Sequence, residues 1–598
     1  FGHGHADALG LGIYGYDLDL TPDLGYPDYC ADVPKTMDWN RNTVAHNTVV
    51  VDKETQKEQW VGTPEFFEGN HGFVQAYRLR SDSAYEQTEL YQRMLVMLKI
   101  DESSSYYLDQ FRVKGGADHL YSFHGGEANV TTNLNLTAQS GGSYAGEDVP
   151  FGIESANHPG HESGYYWLRD VRRDATPPAE FYVDWQMVKN PEVHLRLTML
   201  NANDDVALAH GEPPIGGPRE LTYLLAHRAG EELESNFTSV LEPYKGESKI
   251  EEIRQLKVYD ANNVLVSDYH ARAVEVRLTG GRVDRIFSAL DPDVWYTVET
   301  GEQFRGILVV HATTAGGTPL FTYLGAGDLI VNELEFTLPA RRLTGTVQSF
   351  TEGSEFENKI TITLSQPLPE SVTVEDLANR EIHIANIGDG EAEATKKRNG
   401  TYMIRSAKKL SSTEIELDIG TITLIRQYAT PTNPSEGFIY NISVGDSFVL
   451  PLSRHIDAPV LNVDEITNAG TLNKIKVRFG WSLIGKKLVA FDVRYLYDGA
   501  PIQPAPGESV EVRLPIPENW YLDSVKGWYV PPTGEPQKLN GVVDEATREY
   551  VFQTTHFGTY ALTGNKVPGP LIGNFSRTFT AAMILLSLML ESVRRFFS

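Results

Sequence analysis

Apolar and polar residues alternate along much of this chain. In Lys359-Ile360-Thr361-Ile362-Thr363-Leu364 every second side chain is apolar, and the same period recurs in His194–Leu200, Ala273–Leu278 and Lys474–Phe479. Successive side chains of a strand point to opposite faces, so each segment predicts a strand with one buried and one wet face. Turn-forming clusters such as Gly115-Gly116, Gly141-Gly142 and Pro531-Pro532-Thr533-Gly534 separate these runs. Long amphipathic helical patterns are nearly absent. The fold class expected is all-β, built from antiparallel sandwiches.

The runs group into a large antiparallel β-sandwich over 1–340, two smaller β-sandwich modules over 341–455 and 456–564, and a linker with an apolar tail over 565–598. The first boundary follows the predicted strand Glu335–Leu338, and the second falls at Arg454–Pro459. Gly and Pro mark 565–576 as a linker. Beyond it, Ala581–Leu590 is apolar on every face and then meets Glu591, Arg594 and Arg595. A bilayer span needs about 20 apolar residues. This run is shorter, so a short docked or interfacial C-terminal helix, or the remnant of an anchor, is expected ahead of the alternative, a true span.

Composition narrows the function. A chain of 598 residues predicts about three to five domains. With 41% hydrophobic and 22% charged residues it is neither disordered nor a membrane bundle. Lys and Arg number 52 against 80 acidic residues, a net charge of −28, which disfavours nucleic acid as a partner. An anionic polysaccharide is repelled as well unless a site concentrates cations locally. A single cysteine, Cys30, excludes disulfides and Cys-based metal sites. The opening Phe1-Gly2-His3-Gly4-His5 has neither an initiator Met nor a leader pattern, and reads as an internal piece of a longer protein.

Two apparent motifs fail on context. Gly10-Leu11-Gly12-Ile13-Tyr14-Gly15 spells a dinucleotide fingerprint, but no hydrophobic strand precedes it and Pro22 interrupts the helix that should follow. Glycines in a strand that passes close to another backbone fit better. Asp17–Asp23 lacks the central Gly and terminal Glu of a calcium loop, and a solvated turn is expected.

The chemistry concentrates in the first fifty residues. His3, His5 and Asp7 alternate with small residues, so in an extended chain they share a face. Asp23 lies in Thr21-Pro22-Asp23-Leu24-Gly25-Tyr26, and His46 in Ala45-His46-Asn47-Thr48. Two imidazoles and a carboxylate, with water or substrate as a fourth ligand, suit a zinc-like divalent ion. The same residues also fit surface histidines beside a turn-capping Asp.

These stretches, with Tyr107–Val113, His119–Gly125 and Leu241-Glu242-Pro243-Tyr244, resemble the heparinase II/III group of polysaccharide lyases over roughly residues 1–340. The resemblance implies an α/α toroid followed by a large β-sandwich, with a cleft between them that cleaves an anionic uronate polysaccharide by elimination. It implies that His3 is the sandwich-side catalytic histidine, that His5, Asp23 and His46 hold a structural Zn2+ or similar ion, and that Tyr26 lines the cleft for substrate. The toroid would precede Phe1, so the chain alone is expected to be inactive, and most of the positive cleft would lie in that missing half. An extracellular or cell-surface bacterial location follows, with membrane contact expected only through 578–598.

His119 and His124 are expected to orient a loop rather than bind an ion. Trp520, Trp528 and Tyr529 are expected to pack across strands more than to stack on sugars. The modules from 341 onward carry no catalytic grouping, which suits spacers or surface-presenting modules. A non-catalytic carbohydrate-binding or cell-surface scaffold is the alternative to a lyase. A glycoside hydrolase would need two placed carboxylates, and no pair stands out.

Overall fold

The structure, a computed structural model, describes residues 4–24, 36–57, 62–69, 71–81, 83–152, 163–213, 220–353, 356–386, 398–428 and 437–567. About 52% of the chain is strand and 6% helical, and the class is all-β. Two compact units emerge. One comprises 1–274, 287–309 and 324–454, and the other 275–286, 310–323 and 455–598.

In the first unit, the strands at 63–68, 74–80, 90–99, 105–114, 234–245, 193–199, 181–187 and 128–132 form an eight-stranded sheet in that spatial order. A six-stranded sheet is ordered 137–138, 168–174, 205–211, 221–229, 118–124, 49–51. The two face each other as a sandwich. Tyr91, Phe111, Val113, Val183 and Trp185 of the larger sheet pack against Val49, Val51, Tyr121, Phe123 and Leu224 of the smaller. Each such side chain contributes about 1.5–3 kcal/mol by leaving water.

The smaller sheet is covered on its other face too. Val50, Leu120, Ala207, Ala209 and Leu225 pack under a layer of turns bearing Trp39, Val44, Ala45, Tyr165, Tyr166 and Trp167. Burial on both faces is why Val49-Val50-Val51 is continuously apolar instead of alternating. That covering layer delivers His46 to the sandwich rim.

The same unit includes a five-stranded sheet within 258–336 and a seven-stranded antiparallel sheet over 342–451, whose core includes Val347, Ile360, Ile362, Ile384, Leu417 and Phe448. In the second unit, strands at 460–465, 487–497, 558–564, 526–530 and 537–538 form one sheet. Strands at 510–515, 549–554 and 541–544 form another, and Phe491, Val512, Phe552 and Tyr560 lie in their shared core.

Lys474–Phe479 corrects the sequence expectation. It lies in Ala469–Phe479, the one α-helix among the described residues. Asn468 caps the helix by accepting from Thr471 N (3.0 Å), Gly480 ends it, and Lys476 and Arg478 suit its last turn. Leu472, Ile475 and Phe479 recur at helical spacing and face the sheet. Over six residues both periods fit the letters, and the caps decide.

The rejected motifs resolve into turns. Tyr14–Gly15 pairs with Leu18–Asp19 across Tyr16 and Asp17, whose φ values of 53° and 59° make a two-residue hairpin turn. Gly10 sits in a turn instead of the expected strand: its N–H donates to Asp7 O (2.7 Å) and Leu9 adopts φ 59°. Tyr529 packs across strands against its register partner Tyr560 (5.3 Å between centroids), as expected, whereas Trp528 packs edge-on against Phe479 of the helix and donates to Thr563 Oγ1 (2.9 Å).

The six-stranded sheet carries a charged latch. His227 lies between Asp118 (Nε2 to Oδ2, 3.0 Å) and Asp205 (Nδ1 to Oδ2, 2.8 Å), and Arg173 donates to the same Asp205. The hydrogen bonds to Asp118 and Asp205 push the imidazole up to about 9 against the opposing effect of burial. A folded pKa above the unfolded value of about 6.5 means the contribution is complete below that pH and is lost as pH rises through 9. The first unit is therefore expected to lose up to about 3 kcal/mol between neutral pH and pH 10. Urea midpoints of wild type and His227→Gln against pH check this, and the variant should lack most of that slope.

Candidate metal centre

Three chain segments, each held by its own hydrogen bonds, bring the candidate ligands together. The opening segment is pinned where Ala6 N–H donates to Arg41 O (3.0 Å), Arg41 Nε to Gly4 O (2.8 Å), and Ala8 N–H to Gln56 Oε1 (2.6 Å). After the hairpin, Ile13 N–H donates to Thr21 Oγ1 (2.6 Å), and Leu20 and Leu24 are buried. This leaves Asp23 at the rim with 55% of its side chain exposed. In the third segment, Asn42 caps the turn Thr43–Ala45, and Ser122 Oγ and Tyr223 OH donate to Val44 O (2.7 Å) and Ala45 O (3.1 Å). His46 follows that turn.

His46 Nδ1 stands 2.9 Å from Asp23 Oδ1, and His5 Nδ1 stands 3.4 Å from Asp23 Oδ2. The two imidazole centroids are 4.9 Å apart. Asp7 joins them: one donor atom from each of His5, Asp7, Asp23 and His46 lies within 4.8 Å of all the others. Metal–ligand bonds of about 2.0–2.2 Å at tetrahedral angles separate ligand atoms by roughly 3.3–3.5 Å, so donors at this spacing can surround one ion with modest adjustment. His46 is buried, and its Nε2 has no hydrogen-bond partner among the described residues. Partial burial opposes ionisation of Asp23, but hydrogen bonds from His46 and His5 outweigh it and hold the carboxyl well below its usual range. Two imidazoles and two carboxylates, with Asp23 ionised, match the donor preference of zinc.

A second cluster, Asp170, His210 and Glu220, also has donor atoms within 4.8 Å of one another. There Arg169 contacts Asp170 and lies 2.8 Å from Glu220 Oε1, so a guanidinium already supplies the positive charge.

Sequence reasoning missed the group that fastens the first centre. Arg93 is fully buried and makes two 2.7 Å bonds to the fully buried Asp109. Its Nη1 donates to Leu9 O (2.7 Å) and Asn47 O (2.6 Å), tying two ligand-bearing segments to the eight-stranded sheet. Thr48 Oγ1 reaches Ala8 O (3.0 Å), and Asn47 donates to Leu11 O (3.1 Å) while accepting from His124 N–H (2.8 Å). The available signal was a charged residue inside Leu90–Leu98, an otherwise nearly apolar strand.

His3 and Tyr26 lie outside the described residues. His119 and His124 serve structure, as expected. The His119 ring lies 2.8 Å from both Ser235 Oγ and Gly115 O, and burial pushes His124 down to about 4 beside Gly125 O (3.0 Å).

Residues 1–146 match the family model described as heparinase II/III-like, C-terminal. The likeness to this family covers about a quarter of the 598-residue chain. Every group of the centre, from His5 to Asp109, lies within the matched residues. Two solved structures of the heparan sulfate lyase HepC from Pedobacter heparinus, one of them a mutant, are similar at 14% identity, with a TM-score of 0.32. A heparinase III structure with methylated lysines is similar at 14% identity, with a TM-score of 0.33. Each likeness covers 48% of this chain and 37% of the other, so the chain spans well under half the length of these proteins. No curated protein matches the chain.

Proposed function

We propose that this chain contributes the β-sandwich side of a polysaccharide lyase that cleaves uronate-containing polysaccharide by β-elimination. The observation that carries the reading is the convergence of His5, Asp7, Asp23 and His46 inside the heparinase II/III-like segment. In the proposal these four hold a divalent, zinc-like ion. Bound there, the ion supplies fixed positive charge that locks the opening segment, the Asp23 turn and the His46 turn into one wall.

The chemistry sets what the surrounding residues must do. Elimination takes the C5 proton of a uronate; the C–H electron pair becomes the C4–C5 double bond, and the C4–O pair leaves on the glycosidic oxygen. The C5 proton is barely acidic beside a charged carboxylate, so that carboxylate must be neutralised by hydrogen bonds or a cation. A base removes the C5 proton and an acid protonates the departing oxygen. His3, two residues before His5 on the same alternation, is assigned as the catalytic histidine, because imidazole titrates near neutrality and can take a proton or pair with the carboxylate. Tyr26, three residues after Asp23, is assigned to the substrate side of the wall. A polymer of this kind is met outside the cell, and we place the protein there.

The test assays the protein, together with any sequence that precedes Phe1, on heparan sulfate, hyaluronan and alginate for unsaturated, ultraviolet-absorbing ends. His3→Ala should lower turnover by about 10²–10⁴-fold without unfolding the sandwich. Undiminished turnover by that variant would remove His3 from the mechanism. Absence of unsaturated product from every uronate polymer would favour a binding scaffold.

A further inference from the structure

Far along the sequence from that centre, the second unit shows a surface of opposite character to the chain. Between Glu465 and Asp492 no acidic residue occurs, while Lys474, Lys476, Arg478, Lys486 and Lys487 add five positive charges to a protein whose net charge is −28. The helix Ala469–Phe479 turns Leu472, Ile475 and Phe479 inward, and Arg478 donates to Pro531 O and Gly534 O, which fixes the helix to its own unit. Lys474 and Lys476 are exposed on the helix itself, and neither has an ion-pair partner among the described residues. Among them stand three large apolar side chains: Val477 is 79% exposed, Trp481 89% and Ile484 70%. Gly480, with φ 49°, lets the chain leave the helix and enter the short turn that holds Trp481 outward.

We propose that this surface docks on an anionic lipid bilayer. A lipid interface uses every group present: lysines reach phosphate, an indole sits at headgroup level, and Val and Ile enter the acyl boundary. A sugar polymer would stack on the indole and pair with the lysines, but it leaves Val477 and Ile484 without a role. The course of the chain supports the same occupant. Val567 N–H donates to Asn519 O (2.7 Å) on this unit, and the sequence from 568 onward carries the apolar run Ala581–Leu590 followed by Arg594 and Arg595. One weak membrane signal gives only reversible binding, and two together give a stable one. The proposal is independent of the lyase reading.

Flotation of the full chain with phosphatidylcholine vesicles, with and without an equimolar share of phosphatidylglycerol, tests it. The expected result is flotation with the anionic vesicles only, reversed by high salt. Trp481→Ala and the pair Lys474→Glu with Lys476→Glu should each lower partitioning by about tenfold, with unchanged thermal midpoints because these side chains are exposed. Absence of flotation overturns the proposal, as does flotation equal to the parent by both variants, which would assign binding to the tail. Parent-like flotation together with loss of heparan sulfate binding in those variants would assign the surface to a polysaccharide and equally overturn it.

Discussion

Arg93→Ala is expected to destabilise the first unit by about 3–5 kcal/mol, the cost of leaving one partner of a buried ion pair without the other. Asp109 would then remain fully buried with only the Tyr121 hydroxyl (3.0 Å) of its present side-chain partners. Leu9 O and Asn47 O would lose the donor they share. Asp109→Ala should cost a similar amount. The double variant Arg93→Ala with Asp109→Ala should cost much less than the sum, because no charge is then stranded. Urea unfolding followed by tryptophan fluorescence reads all four corners of the cycle. Additive single effects, or single losses below about 1 kcal/mol, would mean that the pair does not fasten the rim.

How much of this was legible depends on where the information sits. Alternation located the strands at 193–199 and 358–364, because one face of each is partly wet and the letters record it; it also located 271–278, whose polar side chains Arg272 and Glu275 are instead buried in ion pairs. It misplaced 474–479, where six residues satisfy two periods and the deciding signals, Asn468 and Gly480, lie outside the run. Spacing put His5 and Asp7 on one face, and the structure brings Asp23 and His46 to them through a hairpin and a capped turn that spacing could not foresee. Asp7 was visible on that alternation, yet the family resemblance directed attention to three ligands. Arg93 and Asp109 escaped because a sequence shows only two charges among apolar neighbours, and not that two adjacent strands set them side by side.

Stripping divalent metal is expected to lower the thermal midpoint of the first unit by on the order of 10 °C, and adding back zinc should restore it. A ligand that binds only the folded state stabilises by about 4 kcal/mol at a thousand times its dissociation constant, and each kcal/mol moves a domain of a few hundred residues by about 2–4 °C. His5, Asp7, Asp23 and His46 come from three segments that an ion would cross-link, so the loss should appear first as fraying of residues 4–24 in hydrogen exchange. The site is distinguished from the other donor cluster by substitution. His46→Ala should abolish the difference between metal-loaded and chelated protein, while Asp170→Ala should leave it intact, because Arg169 already serves that cluster as the cation. Elemental analysis that finds no stoichiometric divalent metal in the purified protein, with midpoints indifferent to chelator, would dismiss the ion. The four side chains would then be a hydrogen-bonded rim in which Asp23 serves two histidines.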